Sequence, residues 1–273
     1  MDADCALLRD HPLAGHGYAA ACIAGDFLLH ARPAQLVVDA KSSPTDAVTQ
    51  MDREAERLLA QHLLDGRPDD AIVGEEGANR VGTSGVRWIV DPLDGTVNYI
   101  YGLPMWGVSV AAEIDGELQI GIVIAPAFDE AFVAVRGSGA WHRRGGQWHR
   151  ITVATDPTLS HALVATGFAY RASARAEQAA VIAELLPLVR DLRRMGACVI
   201  DLCWLALGRL DAYFEVGLNE WDYSAGVVIA REAGLEVTGL FDPHPSPEFL
   251  IAGAPAVQAQ LRAVLQGLVQ TAK

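Results

Sequence analysis

Residues 74–99 read GEEGANRVGTSGVRWIVDPLDGTVNY. Glu75 and Glu76 stand before an apolar run, and Asp91 and Asp94 stand at its end. At ~4 Å each pair of like charges costs ~4 kcal/mol even at a moderate effective dielectric. A fold that gathers these groups has to supply positive charge. The run 87–90 (RWIV) reads as a buried strand ending at Asp91. Pro92 offers no N–H to a ladder and turns the chain. Asp94-Gly95 suits a tight turn, and Thr96 then opens a helical turn whose first N–H groups point outward. Asp91 and Asp94, with the Leu93 carbonyl between them, make an all-oxygen donor set for a hard ion, Mg²⁺ above all. The bare N–H groups beside them suit a phosphate.

Asp-Pro and Asp-Gly are also ordinary turn formers, so an exposed turn is the plainer reading of this stretch. GEEG upstream and EWDYSAG at 220–226 weigh against it. Spacing tests three specific competitors. A Ca²⁺ loop needs oxygen donors at alternate positions before its glycine, and Pro92 and Leu93 break that pattern. The P-loop pattern GxxxxGK[ST] does not occur. An aspartyl-phosphate phosphatase carries Asp-x-Asp-Gly-Thr, whereas two residues separate the acids here, which misplaces the nucleophile.

The chain has 273 residues, is 51% hydrophobic and carries a formal net charge of −13; its mean hydropathy is +0.19. Such a chain can bury a large core. The acidity argues against nucleic acid and anionic membrane as partners. The opening MDADCALLRD is acidic where an export signal is basic and then apolar. No apolar run reaches the ~20 residues of a membrane span. Cys5, Cys22, Cys198 and Cys203 show neither a CxxC pair nor zinc spacing, as expected of small hydrophobes in a reducing cytoplasm. The eight histidines show no clustered spacing. Only two lysines occur, Lys41 and Lys273, so Lys41 stands out in the interior of the chain.

Residues 13–30 suit a packed helix despite Gly15, Gly17 and Gly25. After the turn KSSPTD (41–46), residues 47–64 read as an amphipathic helix with Asp46 as N-cap and Leu58, Leu59, Leu63 and Leu64 as its stripe. Strands are expected at 71–74 and 87–90, in a hairpin over 107–126 turning at Asp115-Gly116, and through 130–148. Further strands are expected within 162–168, 211–215, 235–238 and 249–254. Helices are expected at 174–190, 198–207, 221–233 and 256–269. This order implies stacked layers of sheet and helix, an α+β fold, better than a plain parallel doubly wound sheet. No linker or repeat divides the chain.

GEEG, WIVDPLDGTVNY (88–99) and EWDYSAGVVIAREAG (220–234), in this order and at these distances, resemble the inositol monophosphatase family. So do 41–52, 102–111, 193–217 and 249–255, and the similarity covers residues 36–262. The resemblance implies a layered αβαβα sandwich in a single unit over 1–273, with a metal and phosphate half at about 1–155 and a substrate half at about 156–273. It implies that Glu75, Asp91 and the Leu93 carbonyl hold one Mg²⁺, that Asp91, Asp94 and Asp222 hold a second, and that Glu75 serves a third through waters. By the same resemblance, Gly95 and Thr96 receive the phosphate, while the Thr96 hydroxyl and Asp52 orient the attacking water. Glu215, Asp222 and the Ala197–Cys198 backbone contact the alcohol, and Lys41 stands near the metals.

Plainer readings exist for several of these residues. Asp222 suits a helix N-cap, Thr96 a capping hydroxyl, Asp52 a solvated charge and Glu215 the partner of an arginine. The family also implies a lithium-sensitive homodimer acting on a small phosphorylated polyol, and the cysteines and the acidic opening imply a cytoplasmic location. GTVNY resembles members acting on inositol 1-phosphate. GLPMWG leans toward histidinol phosphate, and fructose 1,6-bisphosphate, nucleotide 3′-phosphates and NADP are other family substrates. Phe168 and Tyr170 stand where some members place a small polar residue. A non-catalytic role beside the transcription machinery is the reading from another class.

Overall fold

The structure, a computed structural model, describes residues 5–41, 45–153 and 155–271. Residues 42–44 of the expected turn lie outside the described residues, as do the first four of the chain. Among the described residues there is an eight-stranded sheet in the order Gln147–Ile151, Gly139–Arg144, Glu130–Val135, Glu117–Ala125, Gly107–Ile114, Val86–Asp94, Ala71–Gly74, Asn79–Arg80. Only Ala71–Gly74 and Val86–Asp94 pair in parallel within it. The second sheet has five strands, Asp191–Arg193, Leu163–Thr166, Ala212–Glu215, Leu250–Gly253 and Glu236–Thr238, parallel at its first two junctions and antiparallel after them.

Helices Pro12–His30 and Gln50–Leu64 cover the outer face of the large sheet. Cys198–Ala206 and Glu220–Glu232 fill the space between the sheets, and Ala172–Leu185 and Pro255–Thr271 cover the far side. The order of layers is therefore αβαβα, as expected. One apolar core lies between the large sheet and the first two helices, around Trp88, Leu28, Leu59 and Ile122. The other fills the space between the sheets, around Ile200, Val227, Phe132 and Tyr213. No helix among the described residues is long and apolar enough to cross a membrane.

Several boundaries differ from the sequence reading. Ala47–Thr49 is a strand paired with Val38–Ala40, so the helix begins at Gln50 with Thr49, not Asp46, as its cap. The Thr49 hydroxyl accepts from Met51 N–H, and Asp52 closes the box, an arrangement that outweighs the helical pattern of the three residues before it. The helix expected at 174–190 ends at Leu185, because Pro187 passes the chain into a 3₁₀ turn and then into the edge strand Asp191–Arg193. Helix Ala6–Asp10 and the short strand Asn79–Arg80 were not anticipated. The hairpin turn at Asp115-Gly116 is as expected, with both residues at positive φ, 52° and 84°.

The glycines that weaken the helical reading of 13–30 have a packing reason. A Cβ on Gly17 would lie 2.8 Å from Ile122 Cδ1 and 3.0 Å from the Trp88 ring. The helix thus meets the sheet at a distance only glycine allows. Gly17→Val is expected to destabilise the protein by about 1–3 kcal/mol through overpacking, read as a lower urea midpoint; an unchanged midpoint would refute this account of the contact.

Candidate active site

The site begins with a register. Gly74 pairs with Val90 across the parallel junction, so the next residues, Glu75 just past the end of its strand and Asp91 still within its own, come side by side. The carboxyl ends of parallel strands are where open α/β sheets place their ligands. The strand does not end at Asp91. Asp91 pairs with Ser109 and Asp94 with Gly107, three steps against two, so DPLD carries a β-bulge and the strand runs on to Asp94. Pro92, which cannot donate to a ladder, sits inside the bulge, where irregular pairing tolerates it. Gly95 follows at φ +90°, and helix Thr96–Tyr101 starts there without a side-chain cap. A Cβ on Gly95 would come within 2.6 Å of the Met105 carbonyl and 3.2 Å of Ala197 Cβ. The turn therefore touches the chain that leads into helix Cys198–Ala206.

Asp52 and Thr96 meet across 44 residues of sequence. The Thr96 hydroxyl lies 2.8 Å from Asp52 Oδ1 and 3.0 Å from the Leu93 carbonyl, and can donate to either. Asp52 is 1% exposed, so it is not a solvated charge. It also accepts from the Thr49 amide at 2.9 Å and the Thr49 hydroxyl at 2.6 Å. Burial raises its pKa above the ordinary carboxylate value, against the pull of these donors.

The remaining acids converge from separate elements. Asp91 is 1% exposed and accepts from Leu93 N–H at 2.9 Å. Asp94 accepts from Val199 N–H at 2.7 Å, near the start of helix Cys198–Ala206. Asp222 is the third residue of helix Glu220–Glu232, capped by Asn219, and accepts from the Asn219 amide at 2.6 Å. Glu215 ends strand Ala212–Glu215, accepts from the Tyr213 hydroxyl at 2.5 Å and fills the space a Gly167 side chain would take. No arginine forms an ion pair with Glu215 among the described residues. Lys41 Nζ donates to Glu75 Oε1 at 2.7 Å and also to Glu76.

Burial raises the pKa of Asp91 well above the carboxylate range, and repulsion from Glu75, Asp94 and Asp222 adds to it. Asp94 is raised well above its ordinary value for the same reasons, despite its bond to Val199. Asp222 is pushed up to about 7 by burial first, then by Glu75 and Glu215. Glu76 rises to about 7, again chiefly through burial, against the pull of Lys41. These groups thus feel one another as a single cluster. Among the described residues, however, no three acidic, histidine or cysteine groups stand close enough to grip an ion as the side chains lie. Their oxygens are turned toward backbone donors and Lys41. The donor chemistry fits a hard divalent cation: oxygen only, strongly acidic, and destabilised by its own repulsion.

Sequence reasoning missed three supporting residues. Glu56 is buried and accepts from the amides of Glu76 at 2.7 Å and Ala78 at 2.6 Å, holding the loop that carries Glu75. Its signal was available, since Asp52 and Glu56 continue the buried stripe of Leu59 and Leu63 at helical spacing. Asn98 Nδ2 donates to the carbonyls of Met105 at 2.6 Å and Met195 at 2.9 Å, binding the bulge helix to the loop before Cys198. Tyr213, fully buried, fixes Glu215. Neither of the last two has a local signature.

The model of the inositol monophosphatase family matches residues 10–272. An inositol-1-monophosphatase of Mycobacterium leprae is 43% identical over 238 residues, 84% of this chain and 81% of that protein. A protein of Pasteurella multocida named Nus factor SuhB is 36% identical over 80% of this chain and 82% of its own length. The solved structure of a Thermotoga maritima IMPase superposes with a TM-score of 0.86 at 27% identity, covering 96% of this chain and all of that one.

Carboxylates with raised folded-state pKa values contribute stability that is fully present below their unfolded values and is lost as pH rises through the folded ones. Glu76 and Asp222 place that loss near 7. In chelator the melting temperature is therefore expected to fall between about pH 5 and pH 8, and added Mg²⁺ to restore it at the upper end. A melting temperature insensitive to Mg²⁺ at pH 8 would count against the cluster as a cation site.

Proposed function

Because the chain belongs to the inositol monophosphatase family, we propose that it hydrolyses a small phosphate monoester with Mg²⁺, and that myo-inositol 1-phosphate is its preferred substrate. The observation that carries this reading is the buried contact between Thr96 and Asp52 beside the acidic cluster. Glu75, Asp91, the Leu93 carbonyl, Asp94 and Asp222 would hold two or three ions. When bound, Mg²⁺ supplies charge neutralisation, Lewis-acid activation of water and stabilisation of the leaving alkoxide.

The chain's own groups do the positioning. The Thr96 hydroxyl has one proton, directed to Asp52 or to the Leu93 carbonyl, so its free lone pair can accept from a water. That bond turns the water's own lone pair toward the phosphorus, and Asp52 is placed to receive the proton relayed through Thr96. The uncapped amides of Gly95 and Thr96 receive the phosphate. Glu215, held by Tyr213, and the Ala197–Cys198 backbone accept or donate to the alcohol's hydroxyls. Lys41 balances Glu75 and Glu76. No covalent protein intermediate is needed.

We also assign residues 1–273 to one unit, because the two middle helices pack on both sheets. A cytoplasmic, lithium-inhibited homodimer completes the reading. Supporting the dimer, Asp191–Arg193 is a sheet edge and Tyr101, Leu103, Leu186 and Leu188 are exposed apolar side chains. A second reading, a partner of the transcription machinery, is favoured by the relative named Nus factor SuhB.

A phosphate-release panel of inositol 1-phosphate, histidinol phosphate, fructose 1,6-bisphosphate and adenosine 3′,5′-bisphosphate tests the substrate. Inositol 1-phosphate is expected to give the highest kcat/KM, and dominance of another ester replaces it without touching the mechanism. Asp91→Asn is expected to lower kcat/KM about a thousandfold, and Asp52→Asn to lower kcat about a hundredfold with KM little changed. Full activity in chelator would overturn the whole proposal. An intact cellular phenotype with Asp91→Asn would favour the transcription reading.

A further inference from the structure

Helix Ala172–Leu185 is joined to the molecule unusually lightly. Only Leu185 in it is buried, and its apolar residues Val181 and Ile182 are half-buried over a cavity of about 330 Å³. Phe214 and Phe249 line the cavity with their rings nearly parallel, 14° apart in plane and 6.3 Å between centroids. Phe168 lines it beside Gly167. Its charged lining residues are Glu177 and Glu248, both exposed and therefore toward solvent, and no basic side chain lines it. An apolar chamber of this size with a few charges of one sign at the rim has the make-up of a small-molecule site.

The cavity shares residues with the loop that borders the active site. Gln178 lines the cavity, and its Oε1 accepts from the Ala169 amide at 2.9 Å. From the same helix, Arg175 Nη1 donates to the carbonyls of Ala169 at 3.2 Å and Tyr170 at 2.5 Å. Gly167, another lining residue, gives its side-chain space to Glu215. Phe214 faces the cavity from the strand whose next residue is Glu215. A helix with so little buried apolar surface shifts at low free energy, and any shift here is carried by Arg175 and Gln178 to residues 167–170.

We propose that this cavity is a second ligand site, taking an apolar or aromatic body that carries one ammonium group, and that its occupancy is felt at the loop beside Glu215. The apolar body fits between Phe214, Phe249 and Val181. The ammonium reaches the Glu177 and Glu248 carboxylates at the rim, where partial solvation keeps each ion pair modest. Coupling runs both ways: a ligand that orders the helix alters the loop, and substrate that orders the loop alters the ligand's affinity.

The test is a titration of the full chain with 2-phenylethylammonium, 2-phenylethanol and 3-phenylpropanoate, followed by NMR or calorimetry. The ammonium is expected to saturate and to bind about fivefold tighter than the alcohol, with the carboxylate weakest. Val181→Trp, which fills the chamber, is expected to abolish binding. The surface pair Glu177→Gln and Glu248→Gln, which leaves the core intact, is expected to bring ammonium and alcohol to equal affinity, and it carries the test should the tryptophan variant not fold. Hydrogen exchange at 167–171 should slow on binding in the natural chain. Absence of saturable binding by all three probes, equal affinity for ammonium and carboxylate, or full affinity for the ammonium in the glutamine variant would overturn the site. Unchanged exchange at 167–171 would overturn the coupling. Neither readout uses phosphatase activity, so these outcomes are separate from those that test the proposed function.

Discussion

The repulsion among buried carboxylates is the constraint around which the molecule is built. It originates in one register: Gly74 beside Val90 puts Glu75 next to Asp91 at the ends of the only parallel pair in the large sheet among the described residues. The bulge after Asp91 then swings Asp94 toward the middle helix layer. Left to themselves these acids would disperse. They are held by the strands on one side and by backbone donors on the other: Leu93 for Asp91, Val199 for Asp94 and Asn219 for Asp222. The raised pKa values of Asp91, Asp94 and Asp222 follow from that confinement, through burial and mutual repulsion.

The same confinement explains how the two halves of the chain are joined. Helix Glu220–Glu232 comes from the later half yet packs on the large sheet, so Asp222 arrives from behind the strand ends. Gly95 touches Ala197 because neither position leaves room for more, and Asn98 ties the bulge helix to Met195. The bulge, the small residues and one amide side chain fix the distance between the Gly95-Thr96 turn and the loop before Cys198. Glu56 does the equivalent for the loop of Glu75. A bidentate pair between Arg209, in the turn after helix Cys198–Ala206, and the buried Glu130 links that turn to the large sheet, and the hydrogen bonds Glu130 accepts outweigh its burial and hold it at about 2.

Rigidity is unevenly distributed as a consequence. Asp91 and Asp94 sit on a strand and Asp222 at a helix start, each element backed by apolar core. Residues 167–171, beside Glu215, are held chiefly by hydrogen bonds: Thr45 and Arg175 donate to the Tyr170 carbonyl, and the Ala169 amide donates to Gln178. A cluster built this way is held firmly at its acids and more lightly at residues 167–171. Phe168 and Tyr170, which replace the small polar residue of some family members, stand in that lightly held segment.

What the amino-acid order determined by itself was local. Apolar alternation placed most strands, Asp115-Gly116 set the hairpin, and the spacing of Asp91, Leu93 and Asp94 offered oxygen donors of the kind a hard ion takes. Local pattern misled where packing or capping competed with it: at Thr49, which takes the cap from Asp46; at Pro92, which a bulge absorbs where a turn was expected; and at Gly17, whose missing side chain lets a helix approach Trp88. Only the tertiary structure decided that Asp52 is buried against Thr96, that Tyr213 holds Glu215, that Lys41 reaches Glu75, and that a cavity shares Gln178 with the loop at the site. These contacts join residues far apart in the chain or on different elements. They depend on strand register and helix placement, which are set by the burial of whole faces and not by the neighbours of any one residue.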